Sequence, residues 1–322
     1  MSLRDKRVMV TGGAGFIGSH LVDALLAEGA EKVVAIDNLF LGRLENLAGA
    51  RAAGDRFDFV KQNIADTKAM RRLFGKHRVQ VVFDLAVIPL PTSLQRPKWT
   101  IDCNVLGATA LCELSRQGAF ETLIHFSSSE ALGTARQVPM GEDHPLEPIT
   151  PYAASKAACD HIVLSYVRTF GLDAAILRPF NNYGPRQNDQ AYAGIIPIVV
   201  RRVLAGQPVE IFGDGCQTRD FIFVEDTVRA AIAMVERPET RGQVTHVGSG
   251  RETAVNDLVR TMLHLLNAQD HPVVHGPPRP GDVRRHCADI TRAETLLGFQ
   301  PQVDMEEGLR RTIEWYLNPT TA

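Results

Sequence analysis

Tyr152 and Lys156 are the two residues of this sequence whose types and spacing most directly indicate catalysis. They are four positions apart, so a helix would place both side chains on one face. A lysine ammonium beside a phenol stabilises the phenolate, which can then act as a general base toward a substrate hydroxyl. The same spacing is common on exposed helix surfaces, so the position of the pair in the fold must decide between the two interpretations.

The segment Ser127-Ser-Ser-Glu130 is a second candidate, because it directly follows a predicted strand. At the carboxyl end of a parallel strand, its side chains would face the crevice in which such sheets bind ligands. Ser128 would then share the substrate hydroxyl's proton with Tyr152. The alternative is that these serines only form the solvated end of a strand.

A glycine-rich turn near the amino terminus predicts a dinucleotide site. Gly12, Gly15 and Gly18 are three residues apart and follow the apolar segment Val8–Val10. In such a turn the first glycine permits the tight bend, the second lets backbone N–H groups approach a pyrophosphate, and the third lets helix and strand pack closely. The positive end of the helix dipole then faces the phosphates.

Asp37 predicts that the dinucleotide is NAD rather than NADP. It ends the second candidate strand, Val33–Ile36, about 20 residues beyond the glycine turn. A carboxylate at this position accepts hydrogen bonds from a ribose 2′-hydroxyl and repels a 2′-phosphate. The alternative is an ordinary loop carboxylate.

Short apolar segments alternate with helical patterns through the first half of the chain. The candidate strands are Val8–Val10, Val33–Ile36, Phe57–Val60, Val79–Leu85, Thr122–Ser127 and Ala174–Leu177. The candidate helices are Phe16–Glu28, Lys68–Phe74 (capped by Asp66), Pro97–Gln117 and Tyr152–Phe170. This alternation predicts the α/β class, with a Rossmann-type doubly wound parallel sheet covered by helices on both faces.

Beyond about residue 180 the segments become shorter and richer in proline and glycine. We expect a smaller mixed α/β substrate lobe there, packed over the carboxyl ends of the strands. The predicted domains are therefore residues 1–180 for the NAD-binding domain and residues 181–322 for the substrate lobe. This division allows for later segments that return to the first domain.

Composition and charge exclude several classes of partner. The 322 residues carry a formal net charge of −2, so no global basic field indicates nucleic acid or an anionic membrane. The five cysteines are widely spaced without a C-x-x-C pair, which is typical of free thiols rather than of disulfides or a zinc site. No secretory signal is visible, and no apolar run approaches the roughly 18 residues of a membrane span. We therefore expect a cytoplasmic protein without a metal.

The chain resembles the extended short-chain dehydrogenase/reductases that modify nucleotide-linked sugars, a family of epimerases, dehydratases and decarboxylases. The resemblance runs nearly end to end. The motifs that carry it are the glycine turn, Asp37-Asn-Leu, Leu85-Ala, Asn104-Val-Leu-Gly, Ser128 to Gly133, Pro151-Tyr-Ala-Ala-Ser-Lys156, Arg178-Pro-Phe-Asn-Asn-Tyr-Gly-Pro185, Gly213-Asp-Gly-Cys-Gln-Thr-Arg-Asp-Phe221 and Arg279-Pro-Gly-Asp-Val-Arg284.

The resemblance implies a role for each matching residue. The implied catalytic residues are Ser128, Ser129, Glu130, Tyr152 and Lys156. The implied NAD-binding residues are Gly12, Gly15, Phe16, Ile17, Gly18, Asp37, Asn38, Asn63, Ile64, Leu85, Ala86, Asn104, Tyr152 and Lys156. The implied substrate-binding residues are Asn181, Arg219 and Arg284, which hold the nucleotide diphosphate and its ribose. The resemblance also implies a homodimer that pairs the two long helices near residues 97–117 and 152–170.

Departures from the family pattern bear on the reaction. Many 4,6-dehydratases have Thr-Asp-Glu where this chain has Ser128-Ser129-Glu130, so the chain keeps the base at C5 and lacks the acid for the leaving hydroxyl. Decarboxylases often carry Thr-Ser-Glu, which is closer. Asp84 replaces a common histidine, Asn63 replaces a common aspartate, and Leu132 replaces a common tyrosine. Cys103 stands next to Asn104 and is interpreted as buried filler rather than as a pocket residue.

The predicted reaction is an NAD-dependent dehydration of a nucleotide sugar, with a UDP-linked hexosamine as the substrate and 5,6-dehydration of UDP-N-acetylglucosamine favoured. C4 is oxidised transiently, Glu130 removes the C5 proton, and the 6-hydroxyl is lost. The alternatives are a UDP-sugar 4-epimerase, in which Glu130 has no role, and then a UDP-glucuronate decarboxylase, with Arg219 near the substrate carboxylate. The non-enzymatic alternative is a sensor or scaffold that binds NAD without turnover.

Overall fold

The computed structural model describes residues 2–189, 194–278 and 281–318, so Arg279 and Pro280 of the family motif lie outside the described residues. The strands are β1 (Arg7–Thr11), β2 (Lys32–Asp37), β3 (Phe57–Lys61), β4 (Val81–Asp84), β5 (Thr122–Phe126), β6 (Asp173–Pro179), β7 (Asn181–Tyr183), β8 (Val209–Phe212), β9 (Thr218–Arg219), β10 (Phe221–Phe223), β11 (Val244–Val247), β12 (Thr253–Ala254) and β13 (Val273–Gly276). The helices are α1 (Phe16–Ala27), α2 (Ala48–Arg51), α3 (Thr67–His77), α4 (Leu90–Gln95), α5 (Pro97–Arg116), α6 (Pro151–Phe170), α7 (Ile195–Leu204), α8 (Val224–Glu236), α9 (Val255–Leu265), α10 (Thr291–Leu297) and α11 (Met305–Leu317).

Seven strands form the main sheet, in the order β11-β6-β5-β4-β1-β2-β3, and every pair in it is parallel. The predicted Rossmann-type doubly wound sheet is therefore confirmed. The strand order reverses between β1 and β4, and the crevice at such a reversal is where these sheets bind ligands. The strand predicted over Val79–Leu85 is shorter, because the Val79 amide donates to the carbonyl of Phe74 and closes the end of α3 instead (3.2 Å).

The sheet is buried on both faces, which explains its nearly continuous apolar strands. In β1, Val8 and Val10 pack on the face covered by α1 and α8, whereas Met9 packs on the opposite face. Side chains of α3, α5 and α6 cover that second face. Because side chains alternate between the two faces, the position of a residue in its strand determines whether it points toward α5 and α6.

The helices that carry candidate residues begin and end close to the predicted bounds. Asp66 caps α3 by accepting a hydrogen bond from the Ala69 amide (3.0 Å), as predicted. Thr150 caps α6 in the same way, and Gly171 ends it in the left-handed conformation at φ +69°. α5 and α6 each have 20 residues and pack against one another, so both deliver side chains to the same edge of the sheet.

The later part of the chain forms smaller elements around a separate apolar cluster, to which α7, α9 and α11 contribute. Three two-stranded sheets belong to this part: β7 with β10, β8 with β13, and β9 with β12. α8 and β11 return to the main sheet, where β11 pairs with β6. The boundary at residue 180 stays a prediction. Across the described ranges, no helix is long and apolar enough to cross a membrane.

Candidate functional site

The glycine turn brings β1, α1 and the end of β4 into close backbone contact. Gly12 has φ +66°, and a Cβ on it would lie 2.8 Å from the carbonyl oxygen of Leu85. A Cβ on Gly18 would overlap the carbonyl oxygen of Gly12. Both positions therefore need glycine, and the free amides at the start of α1 form a cradle suited to a pyrophosphate.

A cavity of about 430 Å³ extends from this turn to the ends of β5 and α6. All of the predicted NAD-binding residues line it, and so does Ser128. The lining residues that sequence reasoning missed include Phe40, Trp99, Arg186 and Asn188. Phe40 and Trp99 meet edge to face, with ring centroids 5.0 Å apart, and so close one side of the cavity. The predicted NAD-binding residues, which come from distant parts of the chain, thus line one continuous cavity, and its extent suits a dinucleotide.

Asp37 also lines the cavity and is largely buried. Its carboxylate accepts hydrogen bonds from the amides of Leu39 (2.8 Å) and Ala14 (3.1 Å). Burial raises the pKa of Asp37, and these hydrogen bonds oppose that rise. Gly42 was missed by sequence reasoning, although a Cβ there would lie 2.6 Å from an Asp37 carboxylate oxygen. The nearby guanidinium of Arg43 is paired with Asp189 at 2.7 Å, so the cavity presents a carboxylate here, as NAD requires.

Ser128, Tyr152 and Lys156 all line the same cavity. Ser128 follows β5, and Tyr152 lies in the first turn of α6. Lys156 is 4% exposed, and its ammonium donates to the carbonyl of Phe126 (2.6 Å). Because the strand end holds the lysine, the ammonium is fixed beside the cavity rather than free in solvent. Tyr152 and Lys156 thus lie four residues apart on α6, and both line the cavity.

Asn104 ties together three of the elements around the cavity. Its side chain accepts a hydrogen bond from the Ile88 amide (2.8 Å) and donates to the Ser155 hydroxyl (2.9 Å). Ile88 belongs to the segment after β4, Asn104 to α5 and Ser155 to α6. Asn104 therefore holds the cavity wall in place. Cys103 also borders the cavity, contrary to its interpretation as buried filler, and burial raises the pKa of its thiol.

Ser129 and Glu130 begin a single turn of 3₁₀-helix after Ser128 and have different surroundings. Ser129 is 3% exposed, whereas Glu130 is half-buried, and its charged neighbours Arg219 and Asp282 belong to the second lobe. Burial raises the pKa of Glu130, the charge of Arg219 opposes this rise, and the charge of Asp282 adds to it. Glu130 is therefore a stronger base than a glutamate in water once it is ionised.

The three predicted substrate residues have unequal surroundings. Asn181 pairs with Asp220, to whose carbonyl its side chain donates (3.3 Å). Arg219 is mostly buried and donates to the carbonyl of Val283 (2.7 Å), with Asp282 as its ion-pair partner. Arg284 is 58% exposed and pairs with Asp214 at 2.7 Å. Arg219 is thus close enough for its charge to act on Glu130, while the contacts of the Arg284 side chain lie on the exposed surface.

Two further buried residues belong to the surroundings of the 3₁₀ turn that follows Ser128. Sequence reasoning missed His286 and gave no explanation for Leu132. His286 is fully buried against Phe180, with ring centroids 5.1 Å apart. Burial, and next the charge of Arg219, lower the pKa of His286 to about 3, so its imidazole is neutral. Leu132 packs with Met140 and Phe180 in a small apolar cluster, which accounts for an apolar residue in place of a tyrosine.

The sequence profile of the family described as GDP-mannose 4,6 dehydratase matches residues 9–312. A UDP-glucose 4-epimerase of Mycolicibacterium smegmatis is 41% identical, over 97% of this chain and 99% of its own. The solved UDP-glucose 4-epimerase of Thermotoga maritima with UDP-glucose has a TM-score of 0.90 at 37% identity, covering 97% of this chain and 99% of that one. The solved dTDP-glucose 4,6-dehydratase of Streptomyces venezuelae with NAD has a TM-score of 0.91 at 33% identity, covering 97% of each chain.

Proposed function

Since this chain belongs to the GDP-mannose 4,6-dehydratase family of NAD-dependent nucleotide-sugar dehydratases and epimerases, we propose that it is a dehydratase of a UDP-linked hexosamine. The favoured reaction is the 5,6-dehydration of UDP-N-acetylglucosamine. The family membership agrees with the predicted resemblance to extended short-chain dehydrogenase/reductases. The chain is accordingly an enzyme, and its cofactor is NAD.

The first half of the reaction uses the residues at the inner end of the cavity. Tyr152 takes the proton from the sugar 4-hydroxyl, and Ser128 shares that proton. Lys156, fixed by its hydrogen bond to the Phe126 carbonyl, stabilises the phenolate. NAD bound in the cavity would supply the hydride acceptor for C4. The glycine turn, Asp37 and Asn104 hold and orient this cofactor.

The choice of a dehydratase rests on one observation, the raised pKa of the Glu130 carboxyl group after β5. A ketone at C4 acidifies the C5 proton, and a carboxylate whose pKa is raised by burial is suited to remove it. Glu130 can then give this proton to the departing 6-hydroxyl, which leaves as water, because Ser129 provides no carboxylic acid. A double bond forms between C5 and C6 as the C6–O bond breaks. The return of hydride to C4 completes a cycle without net oxidation.

The direct test is to incubate the purified protein with a panel of UDP- and dTDP-sugars and to analyse the products by mass spectrometry and proton NMR. Loss of water from UDP-N-acetylglucosamine, with new alkene signals, supports the proposal. Loss of carbon dioxide from a uronic acid indicates a decarboxylase. Binding of NAD without turnover of any sugar indicates a sensor or scaffold.

The second candidate is a UDP-sugar 4-epimerase, which the epimerase relatives favour. It needs Ser128, Tyr152 and Lys156, and room for the keto sugar to turn before hydride returns. In that reaction Glu130 would have no role, and the product would keep the mass of the substrate. A decarboxylase is the third candidate, and it would need Arg219 near the carboxylate of a uronic acid substrate.

Two finer proposals rest on the same assignment. The whole chain resembles the UDP-N-acetylglucosamine 5,6-dehydratase of tunicamycin biosynthesis, and this resemblance supports the favoured substrate. A homodimer through α5 and α6 is supported by large apolar side chains exposed on or beside these helices. They are Leu94, Ile101, Leu106 and Phe170. Light scattering coupled to size-exclusion chromatography measures the mass in solution, and a monomer at micromolar concentration would contradict the dimer.

A further inference from the structure

Three buried polar side chains form a chain of hydrogen bonds across the ends of neighbouring strands. The Thr11 hydroxyl of β1 donates to one carboxylate oxygen of Asp84 in β4 (2.8 Å). The other carboxylate oxygen of Asp84 accepts a hydrogen bond from Nδ1 of His125 in β5 (2.8 Å). All three residues are at most 3% exposed. Burying an ionised carboxylate is strongly unfavourable unless neighbouring groups compensate its charge, so the groups around Asp84 must provide that compensation.

These residues lie at one level of the sheet, because Asp84 is the register partner of both Thr11 and His125. Val82, Leu123 and Met9, two residues earlier on each strand, belong to the apolar cluster under α5 and α6. Side chains alternate along a strand, so Asp84 and His125 face the layer of helices that carries Lys156.

The residue after His125 is Phe126, whose carbonyl accepts the hydrogen bond from the Lys156 ammonium. Burial alone would raise the pKa of Asp84, but the hydrogen bond and charge of His125, the charge of Lys156 and the Thr11 hydrogen bond hold it below its usual range. Asp84 is therefore ionised in the neutral range, and Lys156 is close enough to contribute to that state.

We propose that Asp84, held between Thr11 and His125 beside the strand end that binds Lys156, is a positioning residue whose negative charge sets the pH at which the Tyr152 phenolate forms. Only the role of Tyr152 as the base is taken from the proposed function; the identity of the sugar does not enter. The negative charge of Asp84 offsets part of the positive field that Lys156 exerts on the phenol. Removing it should leave that field unopposed and let the phenolate form at lower pH.

The other titratable groups packed against Asp84 do not replace it. Cys112 of α5 and Cys159 of α6 are buried, and burial, as the largest cause, raises the pKa of each thiol to about 12, so both are neutral. Asp160 of α6 is paired with the buried guanidinium of Arg178 at 2.7 Å. His125 is itself a donor to Asp84. Asp84 is thus the carboxylate in this group that has no arginine partner.

Thr11 provides a matched control, because it shares the geometry but not the charge. Its hydroxyl also accepts hydrogen bonds from the amides of Leu85 and Ala86 (3.1 Å each), which line the cofactor cavity. Thr11→Val keeps the shape of the side chain and the Asp84 carboxylate, but it removes these contacts. It should weaken NAD binding without moving the pH at which the phenolate forms.

The test is an ultraviolet titration of tyrosinate in the NAD-bound protein without substrate, with Tyr152→Phe as the blank that isolates the Tyr152 signal. Asp84→Asn should shift the midpoint to lower pH by on the order of one unit. Asp84→His, which introduces the residue common in the family, should shift the midpoint in the same direction. This second variant provides the test if Asp84→Asn does not fold.

An unshifted midpoint in these NAD-bound variants overturns the proposal. An equal shift in Thr11→Val also overturns it, because that result assigns the effect to packing rather than to charge. The titration needs no sugar, so its outcome is separate from the choice between dehydratase and epimerase. The titration midpoint can shift even if the enzyme proves to be an epimerase, and it can stay unshifted even if the enzyme proves to be a dehydratase.

Discussion

Replacing Glu130 with glutamine should stop elimination while leaving the oxidation at C4. The amide preserves the shape of the side chain and its place beside Arg219, but it cannot accept the C5 proton. Removing a general base costs about 10²-fold or more in rate, or at least about 2.7 kcal/mol of transition-state stabilisation. The burial that raises the pKa of Glu130 makes it a better base than a surface carboxylate, so we expect a loss of at least this size.

Two assays separate the steps in this variant. The transient absorbance of NADH after mixing with substrate reports the oxidation at C4, and proton NMR in D₂O reports exchange at C5 and the appearance of the alkene. Glu130→Gln should keep the first signal and lose the second, whereas Tyr152→Phe should lose both. Glu142→Gln is the matched control, because burial also raises the pKa of Glu142, yet its carboxylate accepts a hydrogen bond from the His246 amide instead (2.9 Å).

The pH dependence of the elimination rate provides a second test of the role of Glu130. A base must be ionised, so elimination should decline as the pH falls through the raised pKa of Glu130, above the usual glutamate range. The Glu130→Gln variant should lack this decline in its residual rate. Full turnover by the same variant would refute the reasoning and make the 4-epimerase the better assignment.

The remaining predictions concern the cofactor and the substrate anchors. The cycle is redox-neutral, so turnover should proceed without added NAD⁺ once the protein holds its cofactor; accumulation of NADH in step with product would indicate a true dehydrogenase. Arg219→Ala and Arg284→Ala should mainly raise KM, by roughly 30- to 1000-fold for a buried bidentate contact worth about 2–4 kcal/mol. The exposed Arg284 should show the smaller effect, and unchanged kinetics in both variants would show that neither anchors the substrate. Gly18→Ala should abolish retention of NAD, measured by cofactor content after purification, because its Cβ would overlap the Gly12 carbonyl; an alanine variant with full NAD content would contradict this geometry.

The sequence predicts the framework well because the framework depends on local patterns. Alternation of apolar strands with helical segments identifies β1 to β6, and the spacing of Gly12, Gly15 and Gly18 identifies the turn between β1 and α1. Asp66 and Gly171 mark helix ends by local hydrogen bonding and by a positive φ, so their positions are readable from neighbouring residues alone.

What the sequence does not reveal depends on register and on contacts between distant segments. Thr11, Asp84 and His125 form one chain only because three strands place them at the same level, which no local pattern specifies. Gly42 is required by the Asp37 carboxylate, which folds back toward it across the loop. His286 is buried beside Phe180 although it follows two arginines, and the only signal was its place just after the arginine motif.

The chemistry at the end of β5 depends on how a single turn separates two neighbouring residues. In a 3₁₀ turn consecutive side chains point about 120° apart, so Ser129 is buried while Glu130 is half-buried within reach of the charge of Arg219. A carboxylate in place of Ser129 would raise the pKa of Glu130 further by like-charge repulsion, and one of the two would remain protonated as a separate acid. With Ser129 neutral, one carboxyl group must both remove the C5 proton and return it to the leaving hydroxyl. The rate of elimination should therefore fall at low pH as Glu130 becomes protonated, without a second fall at higher pH from the ionisation of another carboxylic acid. A dehydratase with two carboxyl groups should show both.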